Sequence, residues 1–483
     1  MERLILSGKV KVKASSEIGH SKIGIGFEKL DRGVFDPNKA YDKVAAIGVK
    51  WARLQTGWAR CEKEKGVYDF TWLDEIVDNF IARGITPWFN LSYGNPLYTK
   101  RAIPIFGAVG CPPIGSEEEM TAWLNYVKAI VKHFDGRVND FEVWNEPDCN
   151  YSWKHNVDDP ALDPLCNATE YGNFCIATAD AIHETKPTAR VFGFGLAHLQ
   201  DLKYARTAFN TGVLDHIDAV AFHSYSSDDT VRPMRIQNFK KLCRSYGRDI
   251  PLVQGETGCQ SRSDGNGALK GMAWTPTKQL KHLLRNMIID LSENVVFTSY
   301  FSTLDMIEAL RGIISDKASY LDYGYFGVLG ADFDENGVST GDYTPKPSYY
   351  ALRTLASVFS EDFETADVAF AMAPQTSKRI AGTDCTDKTI MTYGFKKPNG
   401  SYAIAYWNAV PLLTHTYEGT MSILELRATP DTPIRLIDMS NGNVYDLPDS
   451  MKEYYSEGGL LLKNIPLTDT PMLLTFGDFA DME

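Results

Sequence analysis

Short apolar runs and amphipathic stretches alternate along the first three quarters of the chain. Runs such as KIGIGF are rich in residues that favour strands. Between the runs, apolar residues recur at helical spacing, as in FTWLDEIVDNFIARG, where a glycine ends the pattern. The predicted strands are 22–27, 49–55, 85–95, 138–146, 189–195, 217–225, 249–256 and 294–302. The predicted helices are 37–48, 70–84, 116–136, 169–186, 200–212, 230–246, 275–292 and 346–359.

Eight strand–helix units in about 340 residues are typical of one closed α/β domain. We therefore predict a (β/α)₈ TIM barrel over residues 16–360, with long loops on the side where the strands end. A doubly wound open sheet is the alternative, because it uses the same alternation of strands and helices.

The pattern changes after residue 360. Segments such as KTIMTYGFKKPNGSYAIAYWNA alternate apolar and polar residues around Asn-Gly turns, which is the signature of β-hairpins. We expect residues 361–483 to form an antiparallel β-sandwich domain. Residues 1–15 carry a similar alternation and could add a strand to that sandwich.

Charge and cysteine content narrow the classes of partner. The net charge of −13 leaves no basic surface excess for nucleic acid or an anionic membrane. The eight cysteines form no C-x-x-C pair and are expected to be reduced thiols. Neither a secretory leader nor an apolar run long enough to span a membrane is visible, so we expect a cytoplasmic protein unless a leader was removed. No cofactor is expected, and association into a homo-oligomer stays open.

Two glutamates stand where predicted strands end. In VNDFEVWNEPD, Glu146 follows the fourth strand, and Pro147 forces the chain out of it. In LVQGETG, Glu256 ends the seventh strand, which lies across the mouth of the predicted barrel from the fourth. Two facing carboxyls about 5–5.5 Å apart are what a retaining glycosidase uses, one as acid/base and one as nucleophile.

Other side chains at the predicted strand ends suit a sugar site. Asn145 could bind a sugar 2-hydroxyl, Arg53 could hold Glu256 ionised, and Tyr225 and His223 could hydrogen-bond the nucleophile and the sugar. The remaining substrate-binding candidates are polar or aromatic side chains near the same ends: Trp58, Tyr93, Asn95, Trp153, Trp274 and Tyr300.

Each candidate also has a structural interpretation. Trp88 and Phe301 suit the filling of the barrel, and Arg53 could belong to a plain ion pair. The competing acids are Glu28, Glu142, Asp148 and Asp305, of which Glu142 would lie one layer deeper than Glu146. We interpret Glu62 as part of a loop. No His/Asp/Cys set with ligand spacing follows the strands, so we expect no metal in the chemistry.

The motifs resemble clan A of the glycoside hydrolases. The sequence combines Val-Trp-Asn-Glu-Pro at a fourth strand, His-Ser-Tyr at a sixth and a Glu at a seventh. The stretch from RLQTGWARCEKEKGVYDF to NLSYGN looks most like family 39, which includes β-xylosidases and α-L-iduronidases. The resemblance covers about residues 20–360 and implies Glu146 as acid/base and Glu256 as nucleophile. The seventh strand reads Gln-Gly-Glu-Thr-Gly, where the family has an aromatic residue after Thr-Glu.

The expected activity is a retaining hydrolysis of equatorial β-linked bonds. A neutral β-xyloside, β-glucoside or β-galactoside is favoured over a uronide, because an acidic sugar needs a cationic clamp and the predicted strand ends offer few free cations, Lys100, Arg101 and Lys154 being the only obvious ones. Long loops at 96–115, 149–166 and 303–344 favour a pocket and exo action. A transglycosylase, an endo-β-glycanase and a non-catalytic carbohydrate-binding protein remain as alternatives.

Overall fold

The computed structural model contains a closed barrel of eight parallel strands. The structure describes residues 4–99, 110–149, 151–153, 165–308, 321–374, 379–380, 383–384, 390–414, 418–455 and 458–483. Strands β1 to β8 of the barrel are Ile23–Gly26, Trp51–Gln55, Thr86–Leu91, Asp140–Val143, Arg190–Leu196, Ala219–His223, Leu252–Thr257 and Thr298–Tyr300. Pairing of β1 with both β2 and β8 closes the ring, so the barrel prediction is confirmed and the open sheet is wrong.

Helices alternate with the strands of the barrel. Helices α1 to α8 are Tyr41–Ala45, Thr71–Ala82, Glu117–His133, Leu165–Thr185, Leu202–Phe209, Arg232–Ser245, Pro276–Ser292 and Pro347–Val358. The start of α3 shows why they form where they do: Ser116 accepts a hydrogen bond from the Glu119 N–H, and three acids occupy the first turn. The predicted helix 37–48 is shorter than expected, because a 3₁₀ turn, Pro37–Lys39, precedes α1.

Several short elements lie outside this alternation. A four-residue helix, Trp58–Cys61, follows β2. The remaining 3₁₀ turns are Ser15–Glu17, Leu30–Arg32, Val213–Asp215 and Asp449–Met451. Hairpins between β8 and α8 pair Met306–Ile307 with Tyr323–Gly324, and Leu329–Phe333 with Ser339–Pro345.

Aromatic side chains fill the inside of the barrel. Trp88 on β3 is fully buried and meets Phe297 edge-on, with ring centroids 4.6 Å apart. The same cluster contains Phe192, Ala219, Ala221 and Val253. Trp88 is therefore packing inside the barrel, and it carries the Arg53 guanidinium 5.9 Å above its ring.

Antiparallel sheets make up the part of the chain after α8. The larger sheet has seven strands in the order Ile5–Lys9, Asn443–Asp446, Ile434–Asp438, Met472–Phe476, Tyr402–Asn408, Ile390–Lys396 and Glu364–Thr365. The second has four, in the order Ala371–Pro374, Glu418–Arg427, Gly459–Thr468 and Lys452–Tyr455. Arg379–Ile380 and Thr383–Asp384 form a separate small pair. The first strand, near the N-terminus, thus pairs antiparallel with Asn443–Asp446.

The two larger sheets share an apolar core. Alternate residues of the seven-stranded sheet, such as Ile404 and Leu474, pack with Ile423 and Leu462 of the four-stranded sheet. This arrangement is a β-sandwich. The opposite face of the seven-stranded sheet contributes residues such as Trp407 to the core of the barrel domain.

Helix α7 joins the barrel to the sandwich through buried charged groups. Arg285 donates to the backbone carbonyls of Asn408 and Val410 and lies 3.1 Å from Asp229. Lys281 forms a fully buried ion pair of 2.6 Å with Asp469. Among the described residues, no helix is long and apolar enough to cross a membrane.

Candidate active site

Glu146 sits on a turn that holds its backbone in an uncommon conformation. Trp144 and Glu146 both have positive φ, at 66° and 46°, a region that side-chain-bearing residues rarely adopt. The turn is held by hydrogen bonds from the Glu146 N–H to Gly195 O at 3.2 Å and from Ser152 Oγ to Asn145 O. A locally strained turn therefore places the Glu146 carboxyl above β4.

The two predicted catalytic carboxyls face each other. One oxygen of Glu146, one oxygen of Glu256 and one nitrogen of His223 all lie within 4.8 Å of one another. The His223 Nδ1 is 2.9 Å from Glu146 Oε1 and 3.7 Å from Glu256 Oε2. Both carboxyls are only slightly exposed, at 5% and 7%. The nearest oxygens of the two carboxyls are thus at most 4.8 Å apart, which is compatible with the roughly 5–5.5 Å between the carboxyl groups of retaining enzymes.

Arg53, in the middle of β2, connects the polar groups below the mouth. Its Nη1 is 2.5 Å from Glu256 Oε1 and 3.2 Å from Glu28 Oε1. Its Nε donates to Glu142 at 2.7 Å, and its Nη2 donates to Asn145 Oδ1 at 2.9 Å. A single buried guanidinium thus fixes three carboxyls and the amide, which agrees with the predicted contact to Glu256.

The surroundings of Glu256 keep it ionised. Burial acts to raise the pKa of Glu256, but the positive His223 and Arg53 and the Tyr225 hydrogen bond outweigh burial and lower that pKa. The Tyr225 hydroxyl donates to Glu256 Oε2 at 2.8 Å. A carboxylate with a lowered pKa, held at both oxygens, is suited to attack rather than to proton donation.

The surroundings of Glu146 shift its pKa in the opposite direction. Burial raises the pKa of Glu146, and the negative charge of Glu256 adds to this effect, although His223 opposes it. Burial disfavours a charged His223, but the negative Glu256 and the Glu142 and Glu146 carboxyls outweigh burial and raise the pKa of His223 to about 10. Two neighbouring carboxyls with pKa values shifted apart are the arrangement expected of an acid and a nucleophile.

Two of the competing acids support the site from below. Glu142, fully buried on β4, binds Arg53, and its Oε1 lies 3.7 Å from His223 Nε2. Glu28, which follows β1, is also fully buried and reaches Arg53. Asp148 instead caps the loop after β5 by accepting from the backbone N–H groups of Ala197 and His198. Asp305 lies apart from these groups, in an ion pair of 2.6 Å with Lys346.

Three predicted substrate-binding residues lie in the core. Trp58 is fully buried, its ring is stacked on Tyr98 and Tyr126, and its Nε1 donates to Glu62. Trp153 is 1% exposed and surrounded by other aromatic rings.

Asn95 is also structural: its amide donates to the Glu62 carbonyl at 2.8 Å and accepts from the Leu97 N–H. The surfaces of Trp58, Trp153 and Asn95 are already used by the protein, which does not support their binding of substrate, and that role stays a prediction. Glu62 was interpreted from the sequence as part of a loop. Its carboxyl accepts hydrogen bonds that hold this loop together.

The remaining predicted aromatic residues differ in position. Tyr300 is fully buried in the core, and its contact with a sugar stays a prediction. Trp274 is 4% exposed and meets His282 edge-on, with no contact to the carboxyl cluster among the described interactions. Tyr93 does lie beside the cluster: its hydroxyl accepts from Gln55, and the Arg32 guanidinium lies over its ring.

A second group of charged residues flanks the mouth and was missed. Lys29 directly follows Glu28, forms a buried ion pair of 3.0 Å with Glu308 and lies over the Phe301 ring. Arg32 lies 3.6 Å from Asp31. The position of GFEKLDR at the end of the first predicted strand was the available signal. The expected free cations Lys100, Arg101 and Lys154 lie outside the described residues.

Within the part of the chain that the structure describes, two groups of side chains have the atoms to hold a metal ion. One is Glu146, His223 and Glu256, whose charges are already paired with each other and with Arg53. The other is Asp148, Cys149 and His198, where Asp148 is committed to backbone hydrogen bonds. Neither group changes the interpretation of the carboxyls as an acid and a nucleophile.

Comparison with known proteins agrees with this geometry. Residues 45–252 match the model "Glycosyl hydrolases family 39", a segment that includes Arg53, Glu146 and His223. The chain resembles family 39, as predicted. A β-xylosidase of Geobacillus stearothermophilus is 28% identical over 138 residues, which are 27% of this chain and 25% of that protein. The chain thus matches about a quarter of the length of this curated relative.

Solved structures share the fold along nearly the whole chain. A family 39 glycoside hydrolase from Bacteroides cellulosilyticus WH2 has a TM-score of 0.62 at 18% identity, covering 94% of this chain and 80% of its own. A monomeric β-xylosidase from Caulobacter crescentus CB15 has a TM-score of 0.58 at 17% identity, covering 98% of both chains. At these identities the solved structures show a shared fold.

Proposed function

We propose that the protein is a retaining glycoside hydrolase that cleaves β-linked bonds of a neutral sugar, with a β-xyloside as the first candidate. The observation that carries the proposal is the pair Glu146 and Glu256, whose oxygens approach within 4.8 Å and whose pKa values are shifted in opposite directions. Such a pair supports double displacement. The partial match to a β-xylosidase supports the choice of sugar.

The first half of the reaction uses Glu256 as nucleophile. Its carboxylate attacks the anomeric carbon while the Glu146 carboxyl protonates the departing oxygen. Arg53 at 2.5 Å and Tyr225 at 2.8 Å orient the attacking carboxylate. Asn145, held by Arg53, stands next to Glu146 with its amide available to a sugar hydroxyl.

The second half requires Glu146 to become a base. Once Glu256 is bound to the sugar as an ester, its negative charge disappears. That charge is one of the causes that raise the pKa of Glu146, so the pKa falls when the ester forms. Glu146 can then take a proton from a water whose oxygen attacks the anomeric carbon and displaces the Glu256 carboxylate, which releases the sugar with its original configuration.

A neutral substrate fits the charges around the mouth. Lys29 is paired with Glu308, Arg32 lies beside Asp31, and Arg53 is occupied by carboxyls. Sugar hydroxyls can bind such pairs through both members, whereas a uronate would have to displace an acid. The sequence predicts long loops at 96–115, 149–166 and 303–344, parts of which lie outside the described residues, and this prediction favours removal of terminal sugars.

A screen of aryl β-glycosides tests the activity, with Glu256→Ala as the matched inactive protein. We expect the β-xyloside to be cleaved, the first NMR-visible product to be the β-anomer, and Glu256→Ala to recover turnover in azide with formation of the α-glycosyl azide. An α-anomer as first product would contradict retention. Binding without turnover of any glycoside would instead identify a carbohydrate-binding protein.

Product order on an end-labelled xylo-oligosaccharide tests exo action. Stepwise loss of single sugars from the non-reducing end is expected. Early products of intermediate length would mean an endo enzyme, and products longer than the substrate would mean a transglycosylase.

A further inference from the structure

Six ionisable side chains are packed together beneath the mouth. They are four acids and two bases, all with less than a tenth of the side chain exposed: Glu28, Glu142, Glu146, Glu256, Arg53 and His223. With both bases charged and all acids ionised, the cluster would carry two uncompensated negative charges out of contact with bulk water. Such a state is strongly unfavourable, so the resting cluster should hold two carboxyl protons.

One of these protons belongs to Glu146, which must donate it in the first step. The contacts identify the holder of the second. Glu256 accepts at both oxygens, from Arg53 and Tyr225, and Glu142 accepts from Arg53 at 2.7 Å. Glu28 has a single contact of 3.2 Å with an Arg53 nitrogen that is closer to Glu256.

The second oxygen of Glu28 is worse placed to carry charge than that of Glu142, whose Oε1 also lacks a hydrogen bond but lies 3.7 Å from the basic His223 Nε2. Glu28 Oε2 is buried and has no hydrogen-bond partner among the residues described. The carboxyl is turned back against its own strand, where a Cβ added at Gly26 would lie 2.2 Å from this oxygen. An unpartnered neutral oxygen costs much less than an unpartnered charged one.

Building on the proposed function, we propose that Glu28 is a positioning residue that carries the second proton of the resting cluster and so leaves the Arg53 Nη1 charge to the nucleophile Glu256. The described groups that face it include Arg53 from β2, His223 from β6, Tyr225 just after β6 and Glu256 from β7. Burial raises the pKa of Glu28 to about 8, the negative Glu256 contributes, and Arg53 and His223 oppose the shift.

The consequence appears on the alkaline side of the pH profile. When Glu28 loses its proton, a second carboxylate competes with Glu256 for the same Arg53 nitrogen. The alkaline limb of kcat/KM then includes the ionisation of Glu28 and does not report Glu146 alone.

Glu28 and Glu142 both bind Arg53, so replacing each of them by glutamine provides a matched test. Glu28→Gln keeps the shape and the neutral state, so kcat/KM at the optimum should fall by less than about tenfold. Its alkaline limb should move to higher pH, because one ionisation has been removed. Glu142→Gln removes a negative charge from the group around Glu146 and His223, so its alkaline limb should move to lower pH. An alkaline limb in Glu28→Gln that coincides with the wild-type limb would overturn the proposal.

A direct titration decides the matter even if Glu28→Gln fails to fold. In a Glu146→Gln protein labelled with ¹³C at the glutamate carboxyls, one carboxyl resonance should still titrate on the alkaline side of neutrality. If every carboxyl of that protein titrates in the acidic range, Glu28 does not hold a proton. Because this measurement needs no substrate, it remains informative if the proposed hydrolase activity is not found.

Discussion

The hydroxyl of Tyr225 offers the smallest perturbation of the candidate nucleophile. Tyr225→Phe removes only the oxygen that donates to Glu256 Oε2 at 2.8 Å. The ring keeps its edge-on contacts with Phe301 and Phe326, so packing should change little. Arg53 still holds the other oxygen of Glu256 at 2.5 Å.

The size of the effect follows from the charge of the acceptor. A hydrogen bond to a charged group contributes about 1.5–3 kcal/mol, whereas the same bond to the protonated acid contributes about 1 kcal/mol. The difference, roughly 1–2 kcal/mol, corresponds to about a tenfold shift of the ionisation equilibrium toward protonated Glu256. Since the protonated acid cannot attack, the acid limb of kcat/KM should move to higher pH, with a smaller loss at the optimum.

The assay is a pH profile of kcat/KM on the best aryl glycoside of the screen. Tyr246→Phe is the control, because Tyr246 donates to Arg206 O and Asn210 at the protein surface, away from the carboxyls. An acid limb of Tyr225→Phe that overlays the wild-type limb, with an unchanged melting temperature, would refute the role of this hydrogen bond.

Four further outcomes are expected. Glu146→Ala should slow substrates with poor leaving groups by about 10²–10⁴-fold and activated aryl glycosides far less, as a leaving-group series would measure. The pKa of His223 is raised from 6.5 to about 10, so charged His223 should stabilise the folded protein fully below pH 6.5 and lose this contribution as pH rises toward 10. The free energy of unfolding of His223→Asn and of wild type, measured with denaturant at several pH values, checks this. Trp58→Ala should lower the free energy of unfolding by about 3–5 kcal/mol and leave the KM of the remaining folded protein unchanged. EDTA should leave the rate unchanged, since double displacement needs no metal, and an activity loss restored by added metal would contradict the mechanism.

Strand ends were predictable from the sequence, and side-chain direction was not. The apolar runs located all eight strands, and the barrel then required Glu146, Glu256, Arg53 and His223 to gather at one end. Trp58 stands equally close to a strand end, but its ring points into the outer layer of helices. Beyond the end of a strand, the sequence pattern does not show whether a side chain points toward the mouth of the barrel or into the layer of helices.

The partners of the buried acids were also beyond the sequence. Glu28 and Glu142 were visible as acids near the first and fourth strands, but their sharing of one guanidinium depends on where β1, β2 and β4 lie around the ring. The packing of Asn95 was beyond the sequence for a similar reason, because its partner Glu62 comes from a preceding loop.

The buried charges of α7 bear on how the protein unfolds. If the β-sandwich detached, Arg285 and Lys281 would lose acceptors on the segment 408–469, and Asp469 would lose its partner. Breaking one such buried pair costs about 3–5 kcal/mol, a large part of a typical stability of 5–15 kcal/mol. The barrel and the sandwich should therefore melt in a single cooperative transition, and a barrel expressed without the sandwich should be prone to aggregation.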